Sequence, residues 1–288
     1  MKTMYESLVW HEVKLTAHAA ARTIPLVYGE VGTEGKRVTM IAGTHGDEGP
    51  WSALAIKQLL QHPVSELKGR IRVIFTANAL AAEVTARNSW IDSPNSHDLD
   101  SCFPGDPDGS HSQRVAAAIT PLLQDSDVVL DLHGGGSWCV NAFVKRFEGS
   151  ESIAEDMEAP FISNAPNKPG GLTSYAKTLG IQVTNIEVGG SSKDEMLWCG
   201  RIAKGLERVL YNLGVLALET PPAPAKKAID VSKTAAVRAR MGGIFVPTLR
   251  EDAVGTIVPR GTELGKMLDL HTLEELEVFT APYEKTAM

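Results

Sequence analysis

The chain alternates between two hydrophobic periods. Short apolar, β-branched runs, each stopped by glycine or a polar cluster, are separated by stretches whose apolar positions recur every three or four residues. RVTMIAG (37–43), RIRVIFTANA (70–79), DVVLDLHGGG (127–136) and IQVTNIEVGG (181–190) are of the first kind and read as buried strands. PWSALAIKQLLQH (50–62) has apolar residues at 51, 54, 56, 59 and 60 with Pro50 near its start, which predicts a helix. QRVAAAITPLLQ (113–124), which Pro121 should kink or end, and LWCGRIAKGLERVLYNLGVL (197–216) read as further helices. Residues 11–31 hold more β-rich segments punctuated by glycine, among them IPLVYGEVG. Strands alternating with helices predict an α/β fold whose sheet is covered on both faces.

The pattern breaks at ETPPAPAKKAID (219–230), a stretch of Pro, Ala and Lys with the composition of a linker. Beyond it, GGIFVPTL, VGTIVPRGTELGKMLD and LEELEVFTAP read as short strands separated by Gly or Pro. The expected organisation is therefore an α/β catalytic domain over 1–218 and a linker with a small β domain over 219–288.

Composition narrows the classes. With 43% hydrophobic and 22% charged residues the chain is an ordinary globular one, and its formal charge of −7 offers no basic face for nucleic acid or an anionic membrane. Cys102, Cys139 and Cys199 are widely spaced and form no CxxC pair, which favours a reducing compartment. The opening MKTMYESLVWHEVKLTAH lacks the apolar core of a signal peptide, and no run approaches the ~20 apolar residues of a membrane span. A cytoplasmic location is the expectation, with a homo-oligomer allowed.

The candidate chemistry lies at the ends of the predicted strands: His45 and Glu48 after the first, His133 at the third and Glu187 at the fourth. In open α/β sheets ligands bind at that edge, where the loops diverge. His45-x-x-Glu48 with a distant His133 makes a His₂Glu set, which leaves the fourth tetrahedral position open, as catalytic zinc requires. Each residue also has a plainer reading. His45 can cap the following helix, His133 can be a satisfied core histidine, and Glu187 can be a surface carboxylate. Asp131 lies two residues before His133 on the same strand face, so it either orients a ligand from behind or is a strand-end carboxylate.

The ordered motifs AGTHGDEG, DLHGGG and NIEVGG resemble those of the succinylglutamate desuccinylase/aspartoacylase family, a branch of the zinc carboxypeptidase-like (M14) hydrolases. The likeness extends to TIPLVYGEVG near the N-terminus and to GGIFVPTL and VGTIVPRGTELGKMLD in the C-terminal β domain. It implies a mixed sheet flanked by helices, and one zinc per chain held by His45, Glu48 and His133. It further implies Glu187 as general base and then acid, and Asn78 with Arg87 at the substrate, the arginine polarising the scissile carbonyl. The activity implied is removal of an acyl group from a small N-acylated amine or amino acid. A metallocarboxypeptidase or peptide amidase is the enzymatic alternative, and a non-catalytic metal-binding or interaction protein the alternative of another class.

One motif departs. Where the family reads Asn-Arg before Phe-Pro-Gly to grip a substrate carboxylate, this chain has Asp100 and Ser101 in HDLDSCFPGD, after a loop, SWIDSPNSH, that is longer than usual. An ionised Asp100 repels a carboxylate, so these residues predict a substrate group that is neutral or cationic, unless an arginine from elsewhere (Arg114 is nearest in sequence) fills the gap.

Overall fold

The four apolar runs form the parallel centre of a mixed sheet. A computed structural model of the chain describes residues 1–17, 22–48, 50–93, 98–137, 139–190, 195–231 and 237–288. It divides into two units, Met1–Ala228 and Ile229–Met288. The first contains β1 (Val9–Ala17), β2 (Arg22–Val31), β3 (Arg37–Ala42), α1 (Trp51–Leu59), β4 (Arg70–Ile74), α2 (Ala79–Glu83) and α3 (His111–Gln124). It continues through β5 (Val128–His133), β6 (Val140–Arg146), α4 (Glu151–Asp156), β7 (Phe161–Asn164), α5 (Leu172–Thr178), β8 (Gln182–Gly190) and α6 (Glu195–Asn212). The strands of this unit lie in the order β1-β2-β4-β3-β5-β8-β6-β7. β4, β3, β5 and β8 are mutually parallel, whereas β2 joins β4, β1 joins β2 and β6 joins β8 in antiparallel fashion.

The central strands are continuous hydrophobic runs because both faces are covered, and every residue of β5 is buried. Ile41, Ile74, Val129 and Val183 pack on one face with Val115, Ile119 and Leu123 of α3 and Leu172 and Ala176 of α5. The alternate residues Met40, Val73 and Leu130, also fully buried, face the other way. α1 and α6 pack on each other, on β3 and on β8 respectively. Truncating a side chain such as Ile41 to Ala in this core costs about 2–5 kcal/mol.

The helix boundaries differ from the sequence reading by a few residues, α1 and α6 ending at Leu59 and Asn212 rather than at 62 and 216. α3 begins at His111 rather than 113 because Ser110 and Gln113 form a reciprocal capping box. It continues through Pro121 to Gln124, so the proline neither ends it nor falls outside it. Periodicity alone did not reveal α2, α4, α5, β6 or β7, all of them seven residues or shorter.

The second unit contains β9 (Ile229–Asp230), β10 (Ile244–Pro247), β11 (Ile257–Val258), β12 (Glu263–Leu268), β13 (Glu275–Thr280) and β14 (Thr286–Ala287). β10, β12 and β13 form an antiparallel sheet, and β11 pairs with β14. Its small core includes Met267, Phe279 and Ala281, with Phe245 meeting the Phe279 ring edge-on at 5.5 Å. Among the described residues no helix is long and apolar enough to cross a membrane.

Candidate metal centre

Because β3, β5 and β8 are parallel, their carboxyl ends open on one edge of the sheet. Gly43 turns the chain there with φ +67°, and a Cβ on it would come within 2.9 Å of the Thr76 Cα. Gly46, next to His45, packs so closely on α2 that a Cβ would lie 2.1 Å from the Ala81 carbonyl carbon. Those glycines let the loop fold back and bring His45 and Glu48 beside His133, the last residue of β5. Glu187 is the register partner of His133 on β8. It is not at a strand end, as the sequence reading had it, because β8 runs on to Gly190 by pairing with β6.

His45, Glu48 and His133 converge in a buried cluster. His45 Nδ1 lies 2.7 Å from Glu48 Oε1, His133 Nδ1 lies 2.9 Å from Glu48 Oε2, and the two Nδ1 atoms are 3.3 Å apart. The Gly134 N–H donates to Glu48 Oε2 at 3.3 Å and helps fix the carboxylate. Each imidazole turns its other nitrogen to an aspartate: His45 Nε2 is 3.1 Å from Asp98 Oδ1, and His133 Nε2 is 3.0 Å from Asp131 Oδ2. Asp131 is fully buried, and the Asn185 amide donates to it at 3.3 Å. A carboxylate behind each histidine fixes the ring and raises its donor strength.

This set fits a zinc ion. Two imidazole nitrogens and a carboxylate turned on one point can hold a cation between them, and ring protons hydrogen-bonded to Glu48 satisfy them without one. Zn–N bonds of about 2.0–2.1 Å in tetrahedral array imply donors about 3.3–3.4 Å apart, close to the 3.3 Å between the Nδ1 atoms. Among the described residues His133 is shared with a second acidic group, Asp100 and Asp131, but no fourth such side chain lies close to all three of His45, Glu48 and His133, and a three-ligand set of this kind can leave a position for water or substrate.

The charges are strongly coupled. Burial pulls the pKa of His45 down, but its hydrogen bonds to Asp98 and Glu48 outweigh this and the net shift is upward. Burial likewise opposes, and Asp131 and Glu48 reverse, the shift of His133, which ends well above its ordinary value. Burial raises the pKa of Glu48 and Asp98, yet the facing imidazoles hold both carboxyls well below the usual carboxylate range. Burial first, then nearby carboxylates, pushes the Cys102 thiol up to about 11 and Cys139 upward too, which argues against thiolate chemistry.

The remaining predicted residues divide. Glu187 is held at both oxygens: Lys145 Nζ is 2.9 Å from Oε1, and Asn141 Nδ2 donates to Oε2 at 3.1 Å. Arg87 Nη1 donates to Glu48 Oε1 at 3.2 Å, with Nη2 3.9 Å from Asp98 Oδ2, so its guanidinium borders the cluster. Asn78 is not brought to the open side. It is buried, accepts from the Ala81 N–H and the Ser89 hydroxyl, and donates to the Thr44 carbonyl, which anchors α2. Ser101 is exposed and its hydroxyl reaches Asp98 Oδ2 at 3.4 Å.

Asp100 is not a free carboxylate facing substrate. Its Oδ1 accepts from the Leu172 N–H at 3.2 Å, and its Oδ2 meets Lys168 Nζ at 2.7 Å. Arg114 is held elsewhere: its Nε donates to the Gly109 carbonyl and its Nη1 to the Thr16 carbonyl. Residues 94–97 of the longer loop lie outside the described residues. Sequence reasoning missed Asp98, Asn141, Lys145 and Lys168. Asp98 stood inside a motif already under scrutiny, and residues 141, 143 and 145 share the face of β6 that meets Glu187, a period of two in VNAFVKR.

A mixed α/β sheet with a buried His-Glu-His donor set at its ligand edge defines the class of protein. The family model described as "Succinylglutamate desuccinylase/Aspartoacylase catalytic domain" matches residues 34–213, and the chain belongs to that family. It is 36% identical over 104 residues to the N-alpha-acetyl-L-2,4-diaminobutyric acid deacetylase of Halomonas elongata. That match spans 36% of this chain and 30% of the relative's length. In fold it is similar to a succinylglutamate desuccinylase from Silicibacter sp. TM1040, at 21% identity, 96% and 87% coverage of the two chains and a TM-score of 0.80. It is also similar to the product-bound ectoine utilization protein EutE (DoeB) from Ruegeria pomeroyi, at 20% identity, 96% and 88% coverage and a TM-score of 0.79.

Proposed function

We propose that this protein is a zinc-dependent amide hydrolase that removes the acyl group from a small N-acylated amine or amino acid. The observation that carries the reading is the convergence of His45, Glu48 and His133 with Glu187 in register beside His133 and Arg87 at the rim. The partial likeness to a deacetylase of an N-acetylated diamino acid agrees with it.

His45 Nδ1, His133 Nδ1 and Glu48 would hold the zinc, with Asp98 and Asp131 keeping each imidazole in the tautomer that offers Nδ1. Zinc, when bound there, supplies a Lewis acid and lowers the pKa of water toward about 7. Glu187 takes a proton from the attacking water and returns it to the amide nitrogen as the C–N bond breaks, which releases a carboxylate and an amine. Asn141 and Lys145 fix its carboxylate for that transfer. Arg87 presents a fixed positive charge to the oxyanion that forms at the carbonyl.

The test is hydrolysis of a panel of N-acetyl and N-succinyl amino acids by zinc-loaded protein, with activity lost on chelation and restored by zinc. Zinc-loaded protein that cleaves no member of the panel would leave a metal-binding protein without this activity.

A further inference from the structure

The large sheet ends on β1, which pairs with β2 alone. Its sequence, VWHEVKLTA, holds no proline or glycine, and its pairing with β2 runs from Val9 to Ala17 without a bulge. Among the described residues the one hydrogen bond it receives from beyond β2 is that of Arg114 Nη1 on the Thr16 carbonyl, near its end. A long, straight edge of this kind is a template for another strand unless something blunts it. Side chains alternate along it. Val13 and Leu15 are half-buried and lean on the core beneath α3, while Trp10, Glu12, Lys14 and Thr16 lie on the opposite, exposed face. Val13 is the midpoint of the strand, and the two opposite charges, Glu12 and Lys14, flank it.

We infer that this edge is an interface between two copies of the chain, joined β1 to β1 in antiparallel fashion about a two-fold axis through Val13. An axis normal to the sheet keeps each face of the strand on its own side, so exposed residues meet exposed residues and core-side residues meet core-side ones. With the axis at Val13, Glu12 faces the partner's Lys14 and Lys14 faces the partner's Glu12, while Trp10 faces the partner's Thr16. On the core side Val13 meets the partner's Val13, and Leu15 meets the partner's His11. Neighbouring registers fail. An axis at Glu12 or at Lys14 sets like charges directly opposite each other and leaves strand ends unpaired. The register of full overlap is therefore also the register of charge complementarity. Charges that would repel most foreign strands fit a second copy of this one. β2 and β4 separate β1 from β3, so the surface is distinct from the metal centre.

The test is sedimentation velocity of the full chain from about 1 to about 100 μM, where mass action shifts a dimer. The wild type should be dimeric at the upper end. Glu12→Lys and Lys14→Glu each turn both cross-strand pairs into like charges, and each should raise the dimer dissociation constant about tenfold or more. The double swap Glu12→Lys/Lys14→Glu restores opposite charges in the same register and should restore the dimer. Amide hydrogen exchange of the wild type needs no variant: β1 should exchange more slowly at the high concentration than at the low one. A monomer throughout would overturn the inference and leave the edge to solvent or to a strand of another protein. A dimer indifferent to both single swaps, with β1 exchange that ignores concentration, would overturn it by placing the interface elsewhere. Single swaps that dissociate the dimer and a double swap that does not restore it would refute the register.

Discussion

On the sheet side of the cluster, His133 and Asp131 sit on a strand whose every residue is buried, and His45 is pinned between Glu48 and Asp98. On the outer side, Arg87 and Lys168 come from loops and keep 51% and 42% of their side chains exposed, Arg87 meeting Glu48 and Lys168 meeting Asp100 and Asp98. The buried side is held by burial and by a carboxylate contact at every ring nitrogen, which suits holding a cation. The open side has long cationic side chains in partial contact with water, and such groups rearrange around a ligand at little cost. The buried side is therefore the more constrained of the two.

Breaking the rigid side should have the largest effect. His45→Ala should abolish zinc binding and all hydrolysis while far-UV circular dichroism stays that of a folded α/β protein. Glu187→Gln should keep zinc and lose ~10²–10⁴-fold in kcat. Near wild-type turnover would remove Glu187 from the mechanism. Arg87→Ala, on the open side, should also keep zinc and lose about 10²–10³ in kcat if it serves the oxyanion. Should it instead raise KM alone, Arg87 is a binding group and not an oxyanion donor.

Asp98→Asn or Asp131→Asn should weaken zinc about 10–100-fold without removing it, because the ligands remain and only their orientation and basicity suffer. Equilibrium competition with a chelator measures this. Unchanged affinity in both variants would mean the aspartates serve packing alone.

The two sides were also unequally legible in the sequence. His45, Glu48, His133 and Asp131 could be placed because strand ends and a period of two fix where a side chain points. Asp98 could not, although HDLDSCFPGD was in view, because its significance rests on an imidazole 53 residues away. Lys168 lies 68 residues from Asp100, in a turn that carries no periodicity. The partners of Asp100, Lys168 and the Leu172 N–H, were out of view for the same reason: they come from a part of the chain that local pattern does not connect to it. Within the fold, the long parallel strands were readable and the short β6 and β7 were not. That loss hid Asn141 and Lys145, the two groups that hold Glu187.

Protons compete with zinc for the rigid side, and the direction is set by the shifts. Both histidines have raised pKa values, so each keeps its proton above 6.5. Their contribution to the stability of the metal-free protein is fully present below pH 6.5 and is lost as pH rises through the raised values. Over that same interval zinc binding should release fewer protons and become tighter. Glu48 and Asp98, with depressed values, stabilise the protein above about pH 4.5, and that contribution is lost only as pH falls through the depressed values.

Equilibrium titration of metal-free protein with zinc, at about pH 6 and about pH 8, brings these expectations together. About one zinc should bind per chain, more tightly at the higher pH, with the same stoichiometry in Glu187→Gln and none in His45→Ala. Absence of saturable zinc binding at either pH, or binding that survives His45→Ala unchanged, would contradict a metal centre built from His45, Glu48 and His133.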